Sequence, residues 1–522
     1  MPARFLIGTL FFAYTLGARA EVALPPVFSD HMILQHGMPV PIWGTASPGE
    51  KITINIAGQS KSATASEEGK WQIKLDPLKP SDNPSTLTVN GTNTITISDV
   101  LIGEVWLGSG QSNIDTPVSD YTAKDQPLRE AAGKDYPQIR LYRSAQASAG
   151  WQPATHDALR GFSAQLFYFG MKLHSELNVP IGLIEAAVKG SPSVYWLSED
   201  AFNSDPQIKK IIDDYRQNRA AADQQHFEEA LAKWKKNIAN AGGNPEKPTP
   251  ELQKKFPYPW QPPAAGYSKG KKGEHYERNI KPLIPFAIRG VLWDQGEGGT
   301  DAGQIPQDVL MQALIGFWRQ QWKQGDFPWI YVQKPSGQGC ALNPDNPVNL
   351  GAVSFAKLPE KPENNAGGRL EYIRIMQQNS NTFMTFTSDL VPEVHPPNKS
   401  GYATRDSLVA LGAVYGKPVE YYGPVFKEMQ TEGSKLRIVF DHIGKGLTVP
   451  PGQKLQGFAI AGKDKNFRWA EAVIDGNSVV LSNPDINAPV AATYAYGWYI
   501  AWANLFNQDG FPALTFRTDA SW

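Results

Sequence analysis

Cysteine is almost missing from this chain. Cys340 is the only one, so no intrachain disulfide can form and the fold must stand on its core. A lone thiol with no supporting local pattern reads as a buried structural side chain rather than a nucleophile. An excess of charge is missing too. Fifty Lys plus Arg balance 51 Asp plus Glu, with no basic block or stripe, which argues against nucleic acid or an anionic membrane as partner. Beyond residue 20 no apolar run is long enough to cross a bilayer. No internal repeat is visible either.

The one long apolar stretch, residues 5–16, follows Arg4 and precedes Ala18-Arg19-Ala20. A positive start, a short apolar middle and a small-x-small close predict a signal peptide over residues 1–20. The expectation is a chain that begins at Glu21, is secreted or periplasmic, and has no membrane attachment after leader removal. At 522 residues the chain has room for two or three domains. Trp, Tyr and Phe are plentiful. Their faces can stack on sugar rings, but filling a large core is the default for any single one.

Two styles of patterning divide the chain. In residues 21–98, Ile52, Ile54 and Ile56 alternate with polar neighbours, as do Trp71, Ile73 and Leu75, and turn signals such as Ser47-Pro48-Gly49 separate the runs. That predicts an antiparallel β-sandwich segment. Residues 429–522 repeat the style, with Leu436, Ile438 and Phe440 alternating. Between them, residues 99–428 place strand-like runs at 100–107, 181–187, 288–293, 329–333 and 383–387, with helical patterns such as 308–322 between several. Alternating strands and helices predict an α/β domain with a mostly parallel sheet and helices on both faces, whose ligands gather beyond the carboxyl ends of the strands. Residues 200–273 interrupt it with apolar side chains at helical spacings and then a Pro, Gly and Lys-rich loop. They read as an insertion, either a helical arm without catalytic part or a wall of the cleft.

Chemistry concentrates at three strand ends. Gly110-Gln111-Ser112-Asn113 follows a buried strand directly, which exposes a serine at a helix start where backbone N–H groups favour an alkoxide. It is not the G-x-S-x-G elbow, and Gly-x-Ser alone is common in plain turns. A base is needed, and there are eight histidines. His31, His36, His174, His226 and His442 sit in strand or helix patterns that give each a structural or surface reading. His395 differs, because it follows a strand end and has Asp389 and Glu393 just before it. An acid there would orient the imidazole and stabilise its charged form. The third strand end carries Trp293-Asp294-Gln295-Gly296-Glu297. Gln295 offers a side-chain N–H for an oxyanion, and Gly190, after the strand ending near Val188, offers a backbone N–H. Asp294 and Glu297 also open a rival reading as the carboxylate pair of a glycosidase. A non-catalytic carbohydrate-binding protein built on the sandwich segments is the other alternative.

These blocks resemble those of the sialate O-acetylesterase-like carbohydrate esterases of the SGNH hydrolase superfamily. Trp106-Leu107-Gly108-Ser109-Gly110-Gln111-Ser112-Asn113 is similar to the nucleophile block. Val179-Pro180-Ile181-Gly182-Leu183-Ile184 with Lys189-Gly190-Ser191-Pro192 is similar to the second. Ile288-Arg289-Gly290-Val291-Leu292-Trp293-Asp294-Gln295-Gly296-Glu297 is similar to the third, and His395-Pro396-Pro397-Asn398-Lys399 to the last. Leu24–Gln35 resembles the family's opening, and Asn504-Leu505-Phe506-Asn507 with Gly510-Phe511-Pro512-Ala513 its close, so nearly the whole chain after residue 20 is covered. The resemblance implies a flavodoxin-like SGNH core with flanking β-sandwich or jelly-roll parts, an O-acetylated carbohydrate as substrate, and no metal or organic cofactor. It implies Ser112 as nucleophile, His395 as base, and an oxyanion hole from the Ser112 and Gly190 N–H groups and Gln295. Two positions depart from the pattern. Pro392 stands where many SGNH enzymes carry the acid three residues before the histidine, which leaves Asp389, Glu393 or a plain Ser–His dyad, with Asp389 preferred for its place at the strand end. Lys189 stands where the family usually has a glycine. The glycines at 108, 110 and 190 suggest room for a small acyl group.

Overall fold

A computed structural model describes residues 21–519 except Gly367; the expected leader, residues 1–20, lies outside them. The centre is a parallel sheet of six strands: β1 (Thr94–Gly110), β2 (Tyr136–Arg143), β3 (Ile181–Ala187), β4 (Gly290–Asp294), β5 (Trp329–Val332) and β6 (Thr382–Thr385). They lie in the order β6-β5-β4-β1-β3-β2. Gln152–Ala154 adds a short antiparallel strand outside β2; apart from these two, the order is β3-β1-β4-β5-β6, that of flavodoxin-like doubly wound sheets. Every residue of β3, β4 and β5 is buried, as expected where helices cover both faces and strands read as continuous apolar runs.

Helices α1 (Ser112–Asp115), α2 (Ala164–Leu177), α3 (Gln307–Trp322) and α4 (Arg369–Gln378) lie in the connections between these strands, and α5 (Lys399–Val409) follows the last one. Their ends follow local chemistry. The Ser163 hydroxyl accepts the Leu166 N–H at 3.1 Å and starts α2, while Asn178, at φ 54°, closes it in the left-handed conformation. Most of the tryptophans go to the core. Trp293 packs edge-on against both Trp196 and Trp318, with centroids 5.9 and 6.0 Å apart, so the core reading was right for these rings.

β1 is 17 residues long and crosses the boundary drawn at residue 98. Its first half pairs antiparallel with Ser81–Asn90, and Ile33–Gln35 runs beside Leu101–Gly103. The apolar core of the N-terminal strands is therefore continuous with that of the α/β part. At the other end, two four-stranded antiparallel sheets share a core of their own, including Leu436, Ile438, Phe458 and Leu505. The insertion is helical, with Pro206–Asn218 and Ala220–Asn240 as its long helices. It is rooted by Phe202 and Ile208 in the main core.

Candidate active site

The serine is placed by β1. Gly110 ends that strand at φ 115°, and a Cβ there would lie 2.3 Å from the Asp294 carbonyl oxygen, so only glycine lets β1 turn against β4. Gln111 donates its N–H to the same carbonyl at 2.9 Å. Ser112 then opens α1, and its carbonyl is held by the Thr116 N–H and hydroxyl. Its own backbone N–H has no acceptor among the described residues, as expected at a helix start.

The structure brings His395 to this serine across 283 positions of chain, with Nε2 2.8 Å from Oγ. No other hydrogen bond reaches the His395 ring among the described residues. Asp389, the preferred acid, is engaged elsewhere. Its wholly buried carboxylate accepts from Asn349 at 2.6 Å and from Arg405 at 2.7 Å. A buried guanidinium needs a carboxylate more than an exposed imidazole does, and it takes this one. Glu393 is exposed with no side-chain hydrogen bond. No carboxylate therefore bonds the His395 ring among the described residues, and Ser112 is its one hydrogen-bond partner there.

On the other side of Ser112, the loop after β3 is stapled in place. The Val188 N–H and the Ser191 hydroxyl both donate to the Gly110 carbonyl, at 3.1 and 3.2 Å. The Lys189 N–H donates to Asp115 of α1 at 3.0 Å. Gly190, at φ 71°, keeps its N–H free of any acceptor among the described residues, beside the serine. Gln295 does not join it. Its side chain is fully buried, donates to the Gly299 and Ser191 carbonyls at 2.9 and 3.4 Å, and accepts from Gln307 at 3.1 Å. The amide is consumed in holding the two loops together, which corrects its expected role as an oxyanion donor. Gly108 is a packing glycine as well, since a Cβ there would meet the Leu166 side chain at 2.6 Å. Of the three glycines that suggested a small acyl pocket, only Gly190 lines the cavity.

Behind Ser112 and His395 lies a buried polar network. Asn113, next to the serine, donates to the Val394 carbonyl at 3.2 Å and so ties α1 to the residue before His395. It also leans on Asp294 at 3.4 Å and accepts the Lys399 ammonium at 2.6 Å. Lys399 is wholly buried above the Tyr121 ring, and burial pushes its ammonium down to about 7 against the pull of Asp294. Lys334, which nothing in its sequence context singles out, sits 2.9 Å from Asp294 and 2.6 Å from Glu297. Burial opposes its charge, but the two carboxylates win and raise it above the usual lysine range. The rival glycosidase pair fails here, because Asp294 is 0% exposed and both acids are claimed by one ammonium. Gly296 is fixed by the same network, since a Cβ would fall 2.0 Å from the Tyr372 hydroxyl.

The five histidines given a structural or surface reading have plain partners or none. His31 pairs with Asp99, His36 with Glu104 and His442 with Glu420; His174 bonds the Val179 carbonyl, and His226 is exposed. Burial pushes the Cys340 thiol up to about 12, and it donates to the Ala503 carbonyl, so it is no nucleophile. No cluster of three or more His, Cys, Asp or Glu side chains with metal-binding geometry occurs among the described residues, and none of their helices is long and apolar enough to cross a membrane. Ser112, His395, Gly190, Lys189, Gln111 and Tyr121 converge on an open cavity of about 620 Å³, within the range of small-molecule sites.

No family model matches the chain. It is 24% identical over 511 residues to the sialate O-acetylesterase of Mus musculus, which spans 88% of this chain and 85% of that one. The Homo sapiens protein of the same name is 24% identical over 438 residues, 74% of this chain and 70% of its own. A solved carbohydrate acetylesterase from Xanthomonas citri superposes with a TM-score of 0.70 at 26% identity, covering 96% of this chain and all of that one.

Proposed function

We propose that Ser112 and His395 carry the reaction of this sialate O-acetylesterase-like carbohydrate esterase, the removal of O-acetyl groups from a glycan through an acetyl-enzyme. The observation that carries the proposal is the 2.8 Å contact between Ser112 Oγ and His395 Nε2 at the mouth of a cavity. His395 takes the hydroxyl proton as Oγ attacks the acetyl carbonyl. The Ser112 and Gly190 N–H groups receive the oxyanion, a role supported by their lack of other acceptors and by their place at a helix start and a tight turn. The sugar hydroxyl leaves with the proton from His395, and water repeats the sequence on the acetyl-serine. The strand order supports an SGNH-type core, and the two antiparallel sheets at the C-terminal end support a β-sandwich appended to it. Arg4, the apolar run and Ala18-Arg19-Ala20 support export to the periplasm or medium.

Ser112→Ala is expected to lower aryl-acetate hydrolysis and acetate release from acetylated glycans by about three orders of magnitude or more, with an unchanged melting curve. A variant that keeps a tenth of the parent rate refutes the assignment. Fractionation of cells expressing the full chain tests export: activity retained in the cytosol would refute it.

A further inference from the structure

A second cavity, of about 710 Å³, adjoins the Ser112 cavity, and Glu297 and Val394 line both. An acetyl group needs none of this space. Its walls come from three distant parts of the chain. Gln304 and Glu371 belong to the α/β part, Gln338 to the loop after β5, and Trp498 to a loop of the C-terminal part, after the strand Ala491–Tyr494. Trp498 is 46% exposed, unlike the core tryptophans. Its backbone is nevertheless fastened on both sides: its N–H donates to Glu363 at 3.0 Å, and its carbonyl accepts from the wholly buried Arg369 at 3.3 Å. Two residues on, the Ile500 N–H donates to the Gln338 carbonyl at 2.9 Å. A half-exposed indole whose backbone is fastened at a cavity wall offers a flat apolar face to whatever fills the cavity.

The charge around it narrows what that is. Glu297, Glu371 and Glu393 line the cavity against a single cation, Lys334, which is already clamped between Asp294 and Glu297. An anionic ligand would meet net repulsion there. Hydroxyl-rich neutral rings would find an indole face to stack on and the amides and carboxylates of Gln304, Gln338 and Glu371 to accept and donate hydrogen bonds. We infer that this cavity is a subsite for the next sugar ring of a neutral, acetylated oligo- or polysaccharide, with Trp498 as its platform. The inference rests on the carbohydrate-esterase reading of the adjoining Ser112 site and gives a loop of the C-terminal part a share in substrate recognition.

The test compares kcat/KM on chemically O-acetylated neutral tetrasaccharides (xylo-, cello- and manno-), the matching acetylated methyl monosaccharides, O-acetylated sialic acid and an aryl acetate. The parent enzyme is expected to favour at least one neutral tetrasaccharide over its monosaccharide by about tenfold or more. Trp498→Ala is expected to lower the tetrasaccharide-to-aryl-acetate ratio by about tenfold, the equivalent of one lost ring-stacking contact, and Trp498→Phe to restore most of it. An unchanged ratio in Trp498→Ala, an equal loss on all substrates, or a preference for acetylated sialic acid overturns the subsite. Failure to deacetylate any sugar while the aryl ester is cleaved overturns instead the carbohydrate reading beneath it.

Discussion

At the scale of single residues, the arrangement around His395 separates two jobs that a carboxylate could do. Asp389 balances Arg405 in the interior, and nothing but Ser112 bonds the imidazole among the described residues. Asp389→Asn should therefore act on stability. Leaving Arg405 buried without its charge partner costs about 3 kcal/mol, read as a lower denaturant midpoint, while the apparent pKa of the pH–rate profile stays where it was. Glu393→Gln should leave both nearly unchanged. A shift of that profile in either variant would restore a triad acid. Lys399 has the opposite character. It braces Asn113, which in turn holds the carbonyl before His395. Lys399→Met, which keeps the apolar stem and removes the ammonium, should lower kcat by about 100-fold through misplacement of the histidine loop. KM should change little. An equal effect on KM, or none on kcat, would reduce Lys399 to packing.

Among the elements, the inserted helices and α5 invite different experiments. No residue of the insertion lines either cavity at the site. Trp234 packs against Tyr258 within the arm, and Gly266 lies beside Ile212, which brings the arm's two ends close together. Replacing residues 219–262 by a short Gly-Ser linker should leave aryl-acetate hydrolysis within about twofold of the parent; a collapse of activity would give the arm a share in the cleft. Helix α5 carries Asp406, which burial raises to about 7 despite its bonds from Thr385 and Gln165. The unfolded carboxyl releases its proton near its ordinary value of 3.8 and the folded one only near 7. Between those pH values the native state holds more protons, so this group's contribution falls as pH rises through the window. Asp406→Asn should flatten the decline in melting temperature between about pH 4 and pH 7. An undiminished slope would assign the decline to other groups, Glu185 first among them, which burial also raises to about 7.

For the molecule as a whole, composition and pattern carried the argument a long way. Cys340 as an inert thiol, the core role of the tryptophans and the strand positions follow from periodicity and burial, which are local properties. So does the turn that carries Ser112, directly after an apolar strand, whereas its reading as nucleophile came from the resemblance of the whole block. The division at residue 98 is less clean than the patterning suggested, because β1 runs through it and one core continues beneath both parts. The choice among Asp389, Glu393 and no acid at all, and the burial of Gln295, were not legible. Each depends on which of several polar side chains wins a given partner, and the winners come from segments hundreds of residues apart. Lys334 shows this most plainly. A lysine after a strand carries no motif, and only the folded chain sets its ammonium against Asp294 and Glu297, removing both acids from candidacy. Trp498 is the same kind of case, since its neighbours Glu363, Arg369 and Gln338 lie well over a hundred positions away. What the sequence by itself determined was the elements and the turns that carry Ser112 and His395, because period and turn chemistry are encoded over a few neighbouring residues. Tertiary structure alone decided which carboxylates are free, which amides are already spent and which ring faces the cleft, because those outcomes are competitions among side chains that meet only when the sheet is assembled.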